Sequence, residues 1–84
     1  MEYYFYILKS LKDKKHYTGI SKDPSNRLKQ HNSGKTTSTK SRRPFVLIYK
    51  EKYPSRIEAR NREKYLKSYM GSKEKMEILE NIGV

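Results

Sequence analysis

The run from Tyr3 to Lys9, YYFYILK, constrains this chain more than any other stretch. It is a continuous aromatic and branched aliphatic block with no turn former and a single charge at its end. Such a run leaves no polar face, so it reads as a β-strand covered on both sides. Side-chain parity sends Tyr4, Tyr6 and Leu8 to one face and Tyr3, Phe5 and Ile7 to the other. With 84 residues, 33% of them apolar, there is room for one core. The expectation is a single domain over residues 1–84, a thin α/β fold of two layers.

The other elements follow by local signals. HYTGIS, His16 to Ser21, is a second strand, and the short polar gap before it predicts an antiparallel hairpin. Its Gly19 weakens a strand unless something must approach the backbone closely. Tyr17 shares a face with Gly19 and is the tyrosine to single out, its ring packed and its hydroxyl at a groove. Asp23 as a cap, Pro24 in the first turn and Gly34 past the end predict a helix over about Pro24 to Asn32. The apolar-free KTTSTKSRR reads as a mobile basic loop, and PFVLIYKEKY gives a third strand, strongest from Phe45 to Tyr49. Ser55 and Glu58 form a capping box, so a second helix runs from near Arg56 to about Met70, where Gly71 ends it. Ser72 opens a weaker third helix with Gly83 as its stop. The order is β-β-α-β-α-α.

Charge narrows the partners. The net charge is +11 and the pI is about 9.9, which points to nucleic acid, because each Lys or Arg that neutralises a phosphate releases condensed counterions. No long apolar segment or basic amphipathic helix supports a membrane partner, and a cytoplasmic setting is expected. With no cysteine and only His16 and His31, disulfides and thiolate zinc sites are ruled out. A metal here should be a hard, oxygen-ligated ion.

Three groups of residues invite a chemical reading. Ala59, Glu63, Leu66 and Met70 fall at i, i+4, i+7 and i+11 of one helical stripe, which places a carboxylate on an apolar face. Either Glu63 pairs with a nearby cation at the stripe's edge, or it holds a hard ion such as Mg²⁺ at the rim of a cleft. Arg27 and His31, at i and i+4, share a face. They are either solvated or combine a phosphate-binding guanidinium with an imidazole able to manage a proton. The loop cations Lys35, Lys40, Arg42 and Arg43 have the composition of a phosphate-contacting arm.

In order, these pieces resemble the GIY-YIG nuclease domain. YFY, Tyr4 to Tyr6, stands where that family has G-I-Y, and YTG, Tyr17 to Gly19, where it has Y-I-G. Arg27 in SNRLKQHN matches the family arginine, and EARNREKYLK matches a pattern that assigns the metal-binding glutamate to Glu63. The resemblance spans Tyr3 to about Met70 and is similar to small bacterial members and to the amino-terminal nuclease of bacterial excision repair. It implies a three-stranded antiparallel sheet flanked by helices (an α+β class), one Mg²⁺ or Mn²⁺ on Glu63, and cleavage of DNA phosphodiesters in repair or recombination. Arg27 would stabilise phosphoryl charge, and Tyr6, Tyr17 or His31 would take the proton from water. Lys22, Arg27, Lys35, Lys40, Arg42 and Arg43 would meet the nucleic acid. Departures are Tyr4 for the name-giving glycine, Ile20 where the repair nuclease has lysine, and Lys75 where it has asparagine. Competing readings are a DNA- or RNA-binding module that does not cleave, and an accessory protein docking an acidic partner. A second copy or a partner protein would help so small a domain grip DNA.

Overall fold

The computed structural model describes residues 2–82. Three strands, β1 (Tyr3–Ser10), β2 (His16–Ser21) and β3 (Phe45–Tyr53), form one antiparallel sheet in the order β2-β1-β3. The helices are α1 (Pro24–Asn32), a single turn α2 (Thr37–Lys40), α3 (Arg56–Lys67) and α4 (Tyr69–Ile82).

β1 is the central strand, and Phe5, Tyr6, Ile7 and Leu8 are all buried. Its two faces feed two separate clusters. Phe5 and Ile7 pack with Leu66 of α3, Ile78 and Leu79 of α4, and Ile48, Tyr49 and Tyr53 of β3. Tyr6 and Leu8 pack with Phe45, Leu47, Tyr17 and Leu28 of α1. Helices therefore cover both faces, and the expected two layers are three. The physical reason lies in β1 itself: a strand apolar on both faces must be shielded on both.

The helix starts are those the sequence encodes. Asp23 accepts from the Asn26 amide at 3.1 Å with Pro24 behind it, and Ser55 accepts from the Glu58 amide at 3.4 Å. The ends differ. α3 stops at Lys67, not Met70, because Ser68 turns extended, donates its hydroxyl to the Tyr65 carbonyl at 2.5 Å and accepts from the Gly71 amide at 3.2 Å. One serine thus ends one helix and anchors the next. Gly71 lies buried inside α4 rather than at a stop, and a Cβ there would meet the Tyr65 carbonyl oxygen at 1.8 Å. Its role is to let the first turn of α4 cross the last turn of α3 at backbone contact. Met70 accordingly leaves the α3 stripe and is exposed. Gly83 lies outside the described residues.

KTTSTKSRR is not a free loop. It contains α2, with Thr39 fully buried, and Arg42 is held by Asp13 at 2.8 Å while its guanidinium covers Phe45. A threonine is short enough to be buried without apolar neighbours in sequence, provided its hydroxyl is satisfied. Among the described residues, no helix is long and apolar enough to cross a membrane.

Candidate active site

The cross-strand register sets Tyr6 directly opposite Gly19. A Cβ on Gly19 would lie 2.6 Å from the Tyr6 hydroxyl and 2.8 Å from its ring carbon. The close approach that this glycine demanded is therefore made by the Tyr6 ring. Laid across the bare backbone, the Tyr6 phenol comes within electrostatic reach of Arg27, Tyr17 and Glu63. Burial pushes this phenol above its ordinary range, Arg27 beside it pulls the other way, and Tyr17 and Glu63 add to the rise. A phenol so placed holds its proton at neutral pH.

Arg27 projects from α1, where its Nη1 donates to the Gln30 side chain at 2.9 Å. Gln30 thereby orients the guanidinium beside Tyr6. Glu63, from α3, is half-buried with its side chain 18% exposed, and its ion-pair partner is the exposed Lys67 at 3.4 Å, one turn on. The carboxylate thus faces inward with most of its acceptor capacity free, since a carboxylate offers about four lone-pair sites.

His31 is fully buried. Its Nδ1 lies 2.8 Å from the Thr39 hydroxyl oxygen, and that hydroxyl donates to the Thr36 carbonyl at 3.3 Å. The two contacts fix the ring through its Nδ1 edge. Nε2 is buried and has no hydrogen-bond partner. Burial, and after it the Arg27 charge, hold the imidazole below its usual value, so it is neutral at pH 7. The half-buried Tyr17 meets it edge-on, with ring centroids 4.9 Å apart.

Tyr6, Tyr17, Arg27, His31 and Glu63, from β1, β2, α1 and α3, are thus brought together. The other cations expected to meet nucleic acid lie outside this cluster. Lys22 lies over the Tyr3 ring on the strand end, Lys35 and Lys40 are exposed, and Arg42 is engaged with Asp13. Gln30 and Thr39 are the supporting residues that the sequence reading did not name. Gln30 is visible in principle, being i+3 from Arg27; Thr39 is not, because nothing local marks a threonine that folds back onto a helix.

Glu63 brings a single carboxylate, and among the described residues no three His, Cys, Asp or Glu side chains gather as a metal cluster. One carboxylate beside phenol and guanidinium suits a hard ion that keeps most of its shell as water or phosphate oxygen. It does not suit zinc, which asks for three or four protein ligands.

The GIY-YIG catalytic domain matches residues 2–77. The chain is 39% identical over 80 residues to UPF0213 protein SH2523 of Staphylococcus haemolyticus, covering 94% of this chain and 95% of that one. It is 40% identical over 70 residues to UPF0213 protein SERP0126 of Staphylococcus epidermidis, covering 82% and 85%. The solution NMR structure of UPF0213 protein BH0048 from Bacillus halodurans superimposes with a TM-score of 0.53 at 36% identity, over 93% of this chain and 85% of that one.

Proposed function

The chain belongs to the GIY-YIG catalytic domain family, and on that premise we propose that it is a divalent-metal-dependent endonuclease that hydrolyses DNA phosphodiester bonds. Support comes chiefly from one observation: a half-buried carboxylate, a held guanidinium and a neutral imidazole converge on the phenols of β1 and β2.

In this reading Arg27, held by Gln30, binds the non-bridging oxygens and stabilises the charge that grows on them. Glu63 would hold one Mg²⁺ or Mn²⁺, which would supply positive charge to offset the charge that builds up during phosphodiester cleavage. In the reacting complex Tyr17 would take the proton from the attacking water as its own phenolic proton moves to the His31 imidazole, a step for which the two side chains must close up, since His31 Nε2 has no hydrogen-bond partner here. The new bond forms between water oxygen and phosphorus as the bond to the leaving oxygen breaks, and solvent protonates that oxygen. Thr39 holds the His31 ring in place through its contact with Nδ1. Tyr6 is the weakest candidate for the proton because burial raises it; it positions Arg27 instead. Lys22, Lys35 and Lys40 contribute to the nucleic-acid surface, in a cytoplasmic role in DNA repair or recombination.

A second reading, a nucleic-acid-binding module without turnover, is favoured by Ile20, which stands where the resemblance calls for lysine. Nicking of supercoiled, branched and gapped DNA with Mg²⁺ or Mn²⁺ separates the two. Wild type should nick at least one substrate, and Arg27→Ala should lower the rate about 10²-fold or more. Wild-type protein that binds these DNAs and cuts none of them would leave the second reading standing.

A further inference from the structure

The segment between α1 and β3 carries a feature that the catalytic reading does not use. Between it and the β1–β2 turn lies an open groove of about 680 Å³. Three cations line it, Lys12, Lys40 and Arg43, with the polar side chains of Asn32, Thr37 and Ser41 and no carboxylate. Among the described residues, none of the three cations forms an ion pair.

The groove is built rather than incidental. Arg43 donates from Nε to the Lys40 carbonyl at 2.9 Å and from Nη1 to the Asn32 carbonyl at 3.4 Å. Gly34, at φ +82°, makes room for it, since a Cβ there would come within 2.7 Å of Nη1. Its guanidinium is therefore oriented beforehand, and with five N–H donors it keeps several for a ligand. The walls are pinned as well. The fully buried Ser10 hydroxyl donates to the Arg42 carbonyl at 2.6 Å and accepts from the Lys12 and Asp13 amides at 3.1 and 3.2 Å. On the other wall, the Asn32 amide brackets Phe45, donating to its carbonyl at 2.9 Å and accepting from its N–H at 2.6 Å.

We propose that this groove is a phosphate-backbone site, which grips a nucleic acid beside the stretch being cleaved. An open trough with three unpaired cations and hydroxyl donors suits a chain of phosphates better than one enclosed anion. Its position fits this use, because Thr37 and Lys40 line the groove while Thr39, in the same helical turn, holds His31. Backbone gripped on one side of α2 therefore runs close to the imidazole on the other. Arg42, although adjacent, is taken by Asp13 and is not part of the site. The inference rests on the nucleic-acid reading above but not on cleavage.

The test is salt-dependent binding of a fluorescent DNA duplex, measured by anisotropy in EDTA so that no cutting occurs. Replacing Lys12, Lys40 and Arg43 together (K12A, K40A, R43Q) should flatten the plot of log affinity against log salt by about 2–3 units, at about 0.9 per phosphate contact. The pair K12A and K40A leaves Arg43 and its hydrogen bonds intact and should flatten it by about 1.8. A control with the same charge change, at exposed Arg60, Lys64 and Lys73 of α3 and α4, should shift it by less than one contact. Groove variants that move no further than the control would overturn the proposal. Amide shifts at Asn32, Thr37 and Ser41 should respond to duplex; a response to inorganic phosphate alone would make this a small-anion site and also overturn it. Duplex binding that depends on the groove, in a wild type that never nicks, would remove the nuclease reading and keep this one.

Discussion

Two glutamates in this molecule have almost the same exposure and opposite surroundings. Glu51 on β3 is 17% exposed in its side chain and Glu63 on α3 is 18% exposed. Each faces tyrosines of the sheet and has a cation nearby. Glu51, however, accepts from the Tyr49 hydroxyl at 2.5 Å, the Tyr53 hydroxyl at 2.8 Å, and Arg62 at 2.9 and 3.2 Å. Arg62 also pairs with Glu74, so the cluster fastens β3, α3 and α4 together. Burial alone would raise the Glu51 carboxyl, but Arg62 and the two phenols outweigh it and hold it below the usual range. Partial burial, and after it the hydrogen bond to Glu51, push the half-buried Tyr49 and Tyr53 phenols up to about 12. Glu63 has one exposed lysine. A saturated carboxylate is a fastening; an unsaturated one at equal depth is an available ligand.

The contrast breaks if Glu63 turns out to serve stability. Glu63→Gln should abolish nicking, a loss of about 10³-fold or roughly 4 kcal/mol of barrier, while the urea midpoint moves little. The opposite pattern, unfolding without a specific loss of cutting, would place Glu63 with Glu51.

Arg62→Ala probes the other side. It strands two carboxylates that share one guanidinium, and removing one partner of a buried pair costs about 3–5 kcal/mol. Because Arg62 is still 21% exposed, the lower end, about 3 kcal/mol, is expected from urea unfolding. Cutting per folded molecule should be retained.

Gly19→Ala sharpens the comparison at the shared sheet. Its methyl would meet the Tyr6 hydroxyl, and overpacking of this kind costs about 1–3 kcal/mol. Displaced phenol also disturbs Arg27, so cutting should fall together with stability. Gly19→Ala with Tyr6→Phe should recover part of the stability, because the clashing oxygen is gone.

The smallest effect is on pH dependence. His16 and His31 are both held below the ordinary histidine value, chiefly by burial. The unfolded chain therefore takes up protons near pH 6.5 before the folded one does. Stability is complete above about 6.5 and is lost as pH falls below it, down toward the folded values. A urea midpoint that is level from pH 8 to 7 and drops toward 5.5 is expected, with a shallower drop in His31→Asn. Glu51, depressed when folded, adds its own loss only at lower pH, through the carboxylate range.

Much of this was legible beforehand, and the reason is distance along the chain. The strand apolar on both faces, the Asp23–Pro24 start and the Ser55–Glu58 box are written in side-chain periodicity or in residues within four positions of each other. Helical spacing also singles out Glu63 among apolar neighbours, and the cation pairing it allowed is present as the contact with Lys67, while the depth of the carboxylate comes from the packed helix. Residues whose meaning depends on a distant partner were not legible. Gly19 announced a close approach but could not say that Tyr6, on the neighbouring strand, would make it. Gly71 looked like a helix stop and is a crossing point, and Thr39 looked like part of a loop and holds the His31 ring at Nδ1.

Helix caps, strand parity and charge are local properties, so the amino-acid order carries them unaided. Which glutamate is satisfied and which is left open is a matter of what the packed sheet and helices bring within about 3 Å, and that geometry exists only once the chain has closed on itself.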